Sequence, residues 1–401
     1  MDVSPGSATT QNHTAAMLLP LLFGSLLGEV AFAQNASLPD SAQVIDQKSL
    51  AVLETVDPPS VQNLSSVFLP PGITSQDASS KPFHVYDEAF LELLGSNVSL
   101  TLIASSAKDP LFHEAVVWYP PTDEVFFVQN AGAKDAGTGL NKSSIIQKIS
   151  LAQAEAVAQG LNSSVDVIVV NSTPTVINPN GATNYQGQIV YTGEGQGDDI
   201  APALFLMNPL EPYNTTQLVN NYYGRQLNSL NDVAINPLFP NAIYFTDSLY
   251  GALQDFRPWP TTTIPPMVYR FDPSTGAIRV VAADLNKPNG LTFSPDGSVA
   301  YVTDTGALEG FYGVNASLPA TIYSYNVTAA GNFANRQTFA YVSPWRACIE
   351  PDGVLLGKIW VGSTVANFRF TGKGRMVIAA ETKLYYVNGW GVEGGDPQDQ
   401  Y

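Results

Sequence analysis

Asn231-Asp-Val-Ala-Ile-Asn-Pro237, with Ile243-Tyr-Phe-Thr-Asp247 after it, recurs as Asn289-Gly-Leu-Thr-Phe-Ser-Pro295 with Ala300-Tyr-Val-Thr-Asp304 after it. Each copy holds an Asn, an alternating apolar strand, a turn with Pro, a second strand and Thr-Asp. From 231 to 289 the shift is 58 positions. Glu114 stands 117 positions before Asn231, close to twice that shift, and opens the similar run Val116-Val-Trp-Tyr-Pro-Pro-Thr-Asp-Glu-Val-Phe-Phe-Val128. Strand-turn-strand units repeating at a fixed long period are the mark of a radial β repeat, so the expected fold is all-β, a β-propeller. The innermost strands of a propeller converge on a central channel. Glu114, Asn231 and Asn289, near the starts of such strands, are therefore candidates for one axial site, and oxygen donors on one axis suit a hard metal ion.

The repeat breaks once. Pro351-Asp-Gly353 arrives in register, with Asp352 63 positions after Asn289, but the next inner-strand-like unit begins at Ala366-Asn367, only 15 positions after Asp352. A four-stranded blade takes about 40 residues, so this blade reads as shortened by two strands. Asp247 and Asp304 end second strands and are placed at blade edges.

Before the β pattern, Met17-Leu-Leu-Pro-Leu-Leu-Phe-Gly-Ser-Leu-Leu27 is apolar and Ala31-Phe-Ala33 has a small-x-small cleavage pattern. Residues 1–33 read as a secretory signal peptide, too short for a membrane span, although no Lys or Arg precedes Lys48. Asn-x-Ser/Thr acceptors follow at Asn35, Asn63, Asn97, Asn141, Asn162, Asn171, Asn214, Asn315 and Asn326, a dense set that supports a secreted, extracellular glycoprotein. The single cysteine, Cys348, allows no internal disulfide and reads as a small buried hydrophobe. A formal net charge of −17, with 18 basic residues scattered along the chain, makes nucleic acid and anionic membrane poor partners.

Residues 34–82, rich in Ser, Pro, Gln and Asn, read as an irregular N-terminal arm; 83–390 as the propeller; 391–401 as a C-terminal tail. Leu151-Ala-Gln-Ala-Glu-Ala-Val-Ala-Gln159, closed by Gly160, predicts a short helix. Val268–Asp272 and Ala277–Arg279 flank a Pro-Ser-Thr-Gly turn as an outer hairpin.

Three other chemistries find no pattern. His113-Glu-Ala-Val-Val117 lacks the second His of a zinc protease, no G-x-S-x-G elbow occurs, and Gly193-Glu-Gly-Gln-Gly197 is not followed by the Lys-Ser/Thr of a phosphate loop.

Taken in order, His113-Glu114, Asn228-Ser-Leu-Asn231-Asp232, Lys287-Pro-Asn289-Gly290 and Pro351-Asp352-Gly353 resemble the gluconolactonase/regucalcin family of six-bladed propeller hydrolases. Gly193-Glu-Gly-Gln-Gly-Asp-Asp199 and Asn231-Asp-Val-Ala-Ile-Asn-Pro237 resemble its fungal secreted lactonohydrolase branch. The resemblance covers about residues 83–387. It implies Ca2+ or another divalent metal in the channel, with Glu114, Asn289 and Asp352 as ligands and Asn231 touching the ion or the substrate. It implies Asp352 as the catalytic base and a small-molecule lactone as substrate, with His113 and Asp198 beside it. The alternative is a propeller that binds metal or a sugar-like ligand without turnover.

Overall fold

A computed structural model describes residues 38–58, 68–259, 264–341, 348–349 (backbone only), 353–372 and 374–392. The signal-peptide segment, Asn35, Asn63, Asp352 and most of the C-terminal tail lie outside the described residues.

Six four-stranded sheets are arranged as the blades of a β-propeller. Blade one runs outward through Glu114–Tyr119, Glu124–Val128, Ile146–Ser150 and Ile168–Val170. Blade two is Pro179–Tyr185, Gln188–Gly193, Ala203–Met207 and Thr215–Val219. The two copies of the quoted unit are the inner halves of blades three and four. Blade three is Leu230–Ile235, Ile243–Asp247, Met267–Asp272 and Ala277–Ala282; blade four is Pro288–Phe293, Val299–Asp304, Thr321–Val327 and Phe333–Tyr341. The expected helix forms as Leu151–Ala158.

Blade five explains the broken spacing. Among the described residues, its own stretch of chain supplies Cys348–Ile349 and Leu355–Ile359. The missing pair comes from the N-terminal side: Phe83–Val85 lies antiparallel to Leu355–Ile359, and Ala42–Val44 lies parallel outside it. Residues 34–82 are therefore not irregular throughout, since they carry one strand of the propeller and a helix, Ser75–Ser80, started by a Thr74/Asp77 capping box. His84, expected to be structural, is 2 % exposed, contacts Gln43 from the outermost strand and stacks on Trp360.

Blade six joins Asn367–Phe370, Arg375–Ala380 and Lys383–Trp390 to the early strand Leu94–Ser105. This pairing of chain start with chain end leaves no open edge between them.

The core lies between blades. Trp390, for example, meets the edges of Phe83, Phe90 and Phe370 at centroid distances of 6.2, 6.1 and 6.0 Å, so blades five and six share one apolar cluster. Stacking sheets face to face in this way turns every blade's two apolar faces inward and leaves the inner-strand starts to polar residues.

Candidate active site

Four inner strands begin alike. In each, the pairing with the second strand slips by one residue just after the first pair: between Glu114 and Val117, Pro179 and Ala182, Leu230 and Val233, and Pro288 and Leu291. Such bulges re-aim side chains at the rim of a sheet. In register, the residue after the first pair is Ala115, Asn180, Asn231 or Asn289. Glu114 thus sits one place ahead of the amides, with Ala115 beside it in the left-handed region at φ 55°.

Threonines lock the bulges. The Gly181 amide donates to Thr192 Oγ1 at 2.7 Å, and that hydroxyl donates on to the Asn231 carbonyl at 2.8 Å. One blade further, the Asp232 amide donates to Thr246 Oγ1 at 2.9 Å and Thr246 donates to the Asn289 carbonyl at 2.7 Å. Gly290 N–H donates to Thr303 Oγ1 at 2.7 Å. Thr192 and Thr246 are thus pegs between neighbouring blades, whereas Thr303 holds the bulge within its own blade.

The Asp of the unit is not at a blade edge. Asp247 and Asp304 are 0 and 1 % exposed. Asp247 accepts from the amides of Asn228 and Ser229 at 2.9 and 2.8 Å and from Asn228 Nδ2 at 2.8 Å. Asp304 accepts from the amides of Asn286, Lys287 and Gly306. Both carboxylates therefore grip the loop that leads into an inner-strand Asn.

Around Glu114 the polar groups gather. Its Oε2 accepts from Asn367 Nδ2 at 2.5 Å, and Asn367 opens the inner strand of blade six. Burial pushes the Glu114 carboxyl up to about 8, against the pull of His113 and the Asn367 hydrogen bond, with Asp232 and Glu381 adding to the rise. His113 Nδ1 lies 3.0 Å from Glu381 Oε1. Burial alone would push the imidazole down, but Glu381, then Glu114 and Glu194, outweigh it and hold His113 up to about 9. The same imidazole pulls Glu381 below the usual carboxylate range against its burial.

Glu194 is fully buried, and burial lifts it to about 7 despite donors from Ser229 Oγ at 2.7 Å and Asn180 Nδ2 at 3.1 Å. Asn180 itself is 6 % exposed, and its Oδ1 has no hydrogen-bond partner among the described residues. Tyr250, on the short helix Tyr250–Leu253, hydrogen-bonds through its hydroxyl to Thr305 Oγ1 at 2.6 Å and to the Asn289 side chain, and burial raises its pKa.

Of the residues expected from sequence, Glu114 and His113 meet here, joined by the electrostatic coupling between them. Asn231 is 4 % exposed and Asn289 half-buried, both at matching bulge positions. Asp352 lies outside the described residues. Asp198 is exposed on the loop after the second strand of blade two; its carbonyl accepts from Gln226 and its charge acts on Arg257 rather than on Glu114. Sequence reading passed over Asn180, Glu194, Tyr250, Asn367 and Glu381. Three of them carried a signal: Pro179-Asn180-Gly181 repeats Pro288-Asn-Gly290, Asn367 opens the inner-strand-like unit after Asp352, and Glu194 lies in the Gly193–Asp199 motif.

Among the described residues no three His, Cys, Asp or Glu side chains converge as a metal cluster. Of the candidate ligands, Glu114 brings a carboxylate and Asn231 and Asn289 bring amide oxygens, a set that suits a hard cation such as Ca2+. Two observations fit one: burial disfavours the charge on Glu114 even with His113 beside it, and the buried Asn180 oxygen has no donor among the described residues.

Comparison with known proteins agrees with this fold. Residues 200–388 match the SMP-30/gluconolactonase/LRE-like region. A lactonohydrolase of Aspergillus oryzae, oryL, is 29 % identical over 333 residues, spanning 77 % of this chain and 67 % of that protein. A second A. oryzae lactonohydrolase, oryH, is 23 % identical over 75 % of this chain and 73 % of its own. The solved gluconolactonase of Xanthomonas campestris superposes with a TM-score of 0.58 at 22 % identity, over 77 % of this chain and 94 % of that one, a likeness of fold. The chain thus carries, over its C-terminal half, a match to the SMP-30/gluconolactonase/LRE-like region, and it is similar to fungal lactonohydrolases.

Proposed function

We propose that the protein is a secreted hydrolase that opens a sugar-acid or pantoyl-type lactone, with Ca2+ or another divalent cation in the channel. Kinship with lactonohydrolases and gluconolactonases supports lactone hydrolysis. The observation that supports the site is the common bulge of the inner strands, in which Asn231 and Asn289 hold matching positions and Glu114 stands one residue ahead of that register.

Glu114, Asn231 and Asn289 would hold the cation, with Asp352 of the Pro-Asp-Gly motif as a further ligand. When bound, the ion supplies polarisation of the lactone carbonyl and stabilisation of the negative charge that develops on its oxygen. Asp352 takes a proton from the attacking water as general base. The water oxygen bonds to the acyl carbon, the ring C–O bond breaks, and the ring oxygen takes a proton to leave as a hydroxyl. The product is a hydroxy acid. His113, braced by Glu381, stands beside Glu114 and contacts the substrate from that side.

Secretion rests on the apolar N-terminal segment and on the acceptor sites. All seven acceptors among the described residues, Asn97, Asn141, Asn162, Asn171, Asn214, Asn315 and Asn326, are exposed, as glycan attachment requires.

The test is acid release in a pH-stat from aldonate and pantoyl-type lactones, with added calcium and then with a chelator. Calcium-dependent release is expected. No release from any lactone would overturn the reading in favour of a propeller that binds without turnover.

A further inference from the structure

We propose that Asn180 is a further ligand of the channel cation, contributed by blade two. The proposal rests on the cation reading above and extends it to a residue outside the metal set, Glu114, Asn231, Asn289 and Asp352.

Three observations converge on the Asn180 side chain. The first is position. Asn180 follows the first paired residue of its inner strand and sits in the same one-residue bulge as Asn231 and Asn289. Its tripeptide, Pro179-Asn-Gly181, is the one that carries Asn289. Gly181 is needed for this approach, because a Cβ there would come within 2.4 Å of the Asn231 carbonyl. Blades two and three therefore press their two Asn-bearing bulges together.

The second is which atom faces where. Glu194 has both carboxylate oxygens engaged as acceptors, from Ser229 Oγ and from Asn180. The amide nitrogen of Asn180 donates to Glu194 Oε2 at 3.1 Å, which leaves the amide oxygen facing away from Glu194. The Ser229–Glu194–Asn180 chain thus sets the orientation of Oδ1 before any ligand arrives.

The third is that this oxygen has nothing to accept. Asn180 Oδ1 is buried and has no donor among the described residues. The nearby Asn178 shows what a purely structural amide does in the same strand start: its Oδ1 accepts from the Ser144 amide and its Nδ2 donates to two carbonyls. An oriented, desolvated amide oxygen in the register of two other amide oxygens is the kind of donor that Ca2+ takes. The Glu194 hydrogen bond then acts as the outer-shell contact that aims a ligand.

The test compares calcium affinity of the full chain without substrate, by calorimetry or by competition with terbium luminescence. Wild type, Asn180→Ala and Asn180→Asp are measured. Loss of one aimed ligand is expected to weaken the dissociation constant by about tenfold or more in Asn180→Ala. Asn180→Asp restores an oxygen donor, so its affinity returns toward wild type. It also sets a second carboxylate against Glu194, so calcium is expected to raise its melting temperature by more than it raises that of wild type. Wild-type affinity in Asn180→Ala, even with a raised KM, would overturn the assignment and make Asn180 a substrate contact. Asn180→Asp binding no tighter than Asn180→Ala would overturn it as well. No saturable binding by wild type would remove the cation itself, and Asn180 as its ligand with it.

Discussion

The hydroxyl of Thr246 bridges two blades, accepting from the Asp232 amide at 2.9 Å and donating to the Asn289 carbonyl at 2.7 Å. It therefore fixes the strand start that carries one candidate ligand from the strand that follows another. Thr246→Val keeps the shape and removes the hydroxyl, leaving a buried amide without its acceptor and a carbonyl without this donor. The expected cost is about 1–3 kcal/mol of stability, with weaker calcium binding because Asn289 loses its anchor. Thr246→Ser is expected to restore both. Urea unfolding and calcium titration of the two variants check this, and equal calcium affinity in Thr246→Val and wild type would contradict the anchoring role.

Tyr250 approaches the same Asn289 from the other side. Its hydroxyl ties Thr305 to the Asn289 side chain from the short helix that follows Asp247. Tyr250→Phe preserves the packing and deletes one buried hydrogen-bonding group, worth about 0.5–1.5 kcal/mol. Lactone turnover is expected to fall by up to about tenfold in kcat/KM, with the melting temperature nearly unchanged. A steady-state comparison at saturating calcium reads this directly.

Much of the propeller was legible because its central repeat is written in residue types with separate physical duties. In Asn231…Thr246-Asp247 and Asn289…Thr303-Asp304, the Thr pegs a bulge and the Asp holds the loop ahead of the Asn, so both recur with the Asn. The same logic misplaced Asp247 and Asp304, because an Asp ending a strand reads as exposed until its backbone donors are seen. Blade five was legible only as a deficit. Ala42–Val44 and Phe83–Val85 are three-residue strands, too short for alternation to register, and their partner Leu355–Ile359 is more than 270 positions away from Phe83–Val85. Glu381 and Glu194 were hidden for a related reason: one lies in a turn at φ 61° and the other in a Gly-rich loop, where an acid ordinarily faces water.

The borrowed strands of blade five predict an unusual sensitivity at the N-terminal side. Phe83 is fully buried, and its ring meets Trp390 of blade six edge-on at 6.2 Å. Phe83→Ala removes that contact and leaves a cavity between two blades, an expected loss of about 3–5 kcal/mol. Val52→Ala, on an exposed residue of the same arm, is expected to fall within about 0.5 kcal/mol of wild type. Chemical denaturation of both variants checks the assignment of the arm to the fold. Equal stability would mean that residues 83–85 do not complete the blade.

Calcium is expected to stabilise the folded chain by mass action, since the unfolded chain has no assembled donor set. At calcium a hundredfold above its dissociation constant the gain is about 2.7 kcal/mol, seen as a rise in melting temperature that a chelator reverses. Glu114→Gln separates this effect from fold damage. Glu114 is a desolvated carboxylate whose charge is disfavoured without a cation, so the neutral isostere is expected to be at least as stable as wild type in the presence of chelator. Its calcium-induced rise is expected to vanish, and lactone turnover to drop by about a hundredfold or more. Asp198→Ala, on an exposed loop whose charge faces Arg257, is expected to keep the full calcium response. Thermal scans of the three proteins with calcium and with chelator decide the matter, and a calcium response retained by Glu114→Gln would exclude Glu114 from the ion's shell.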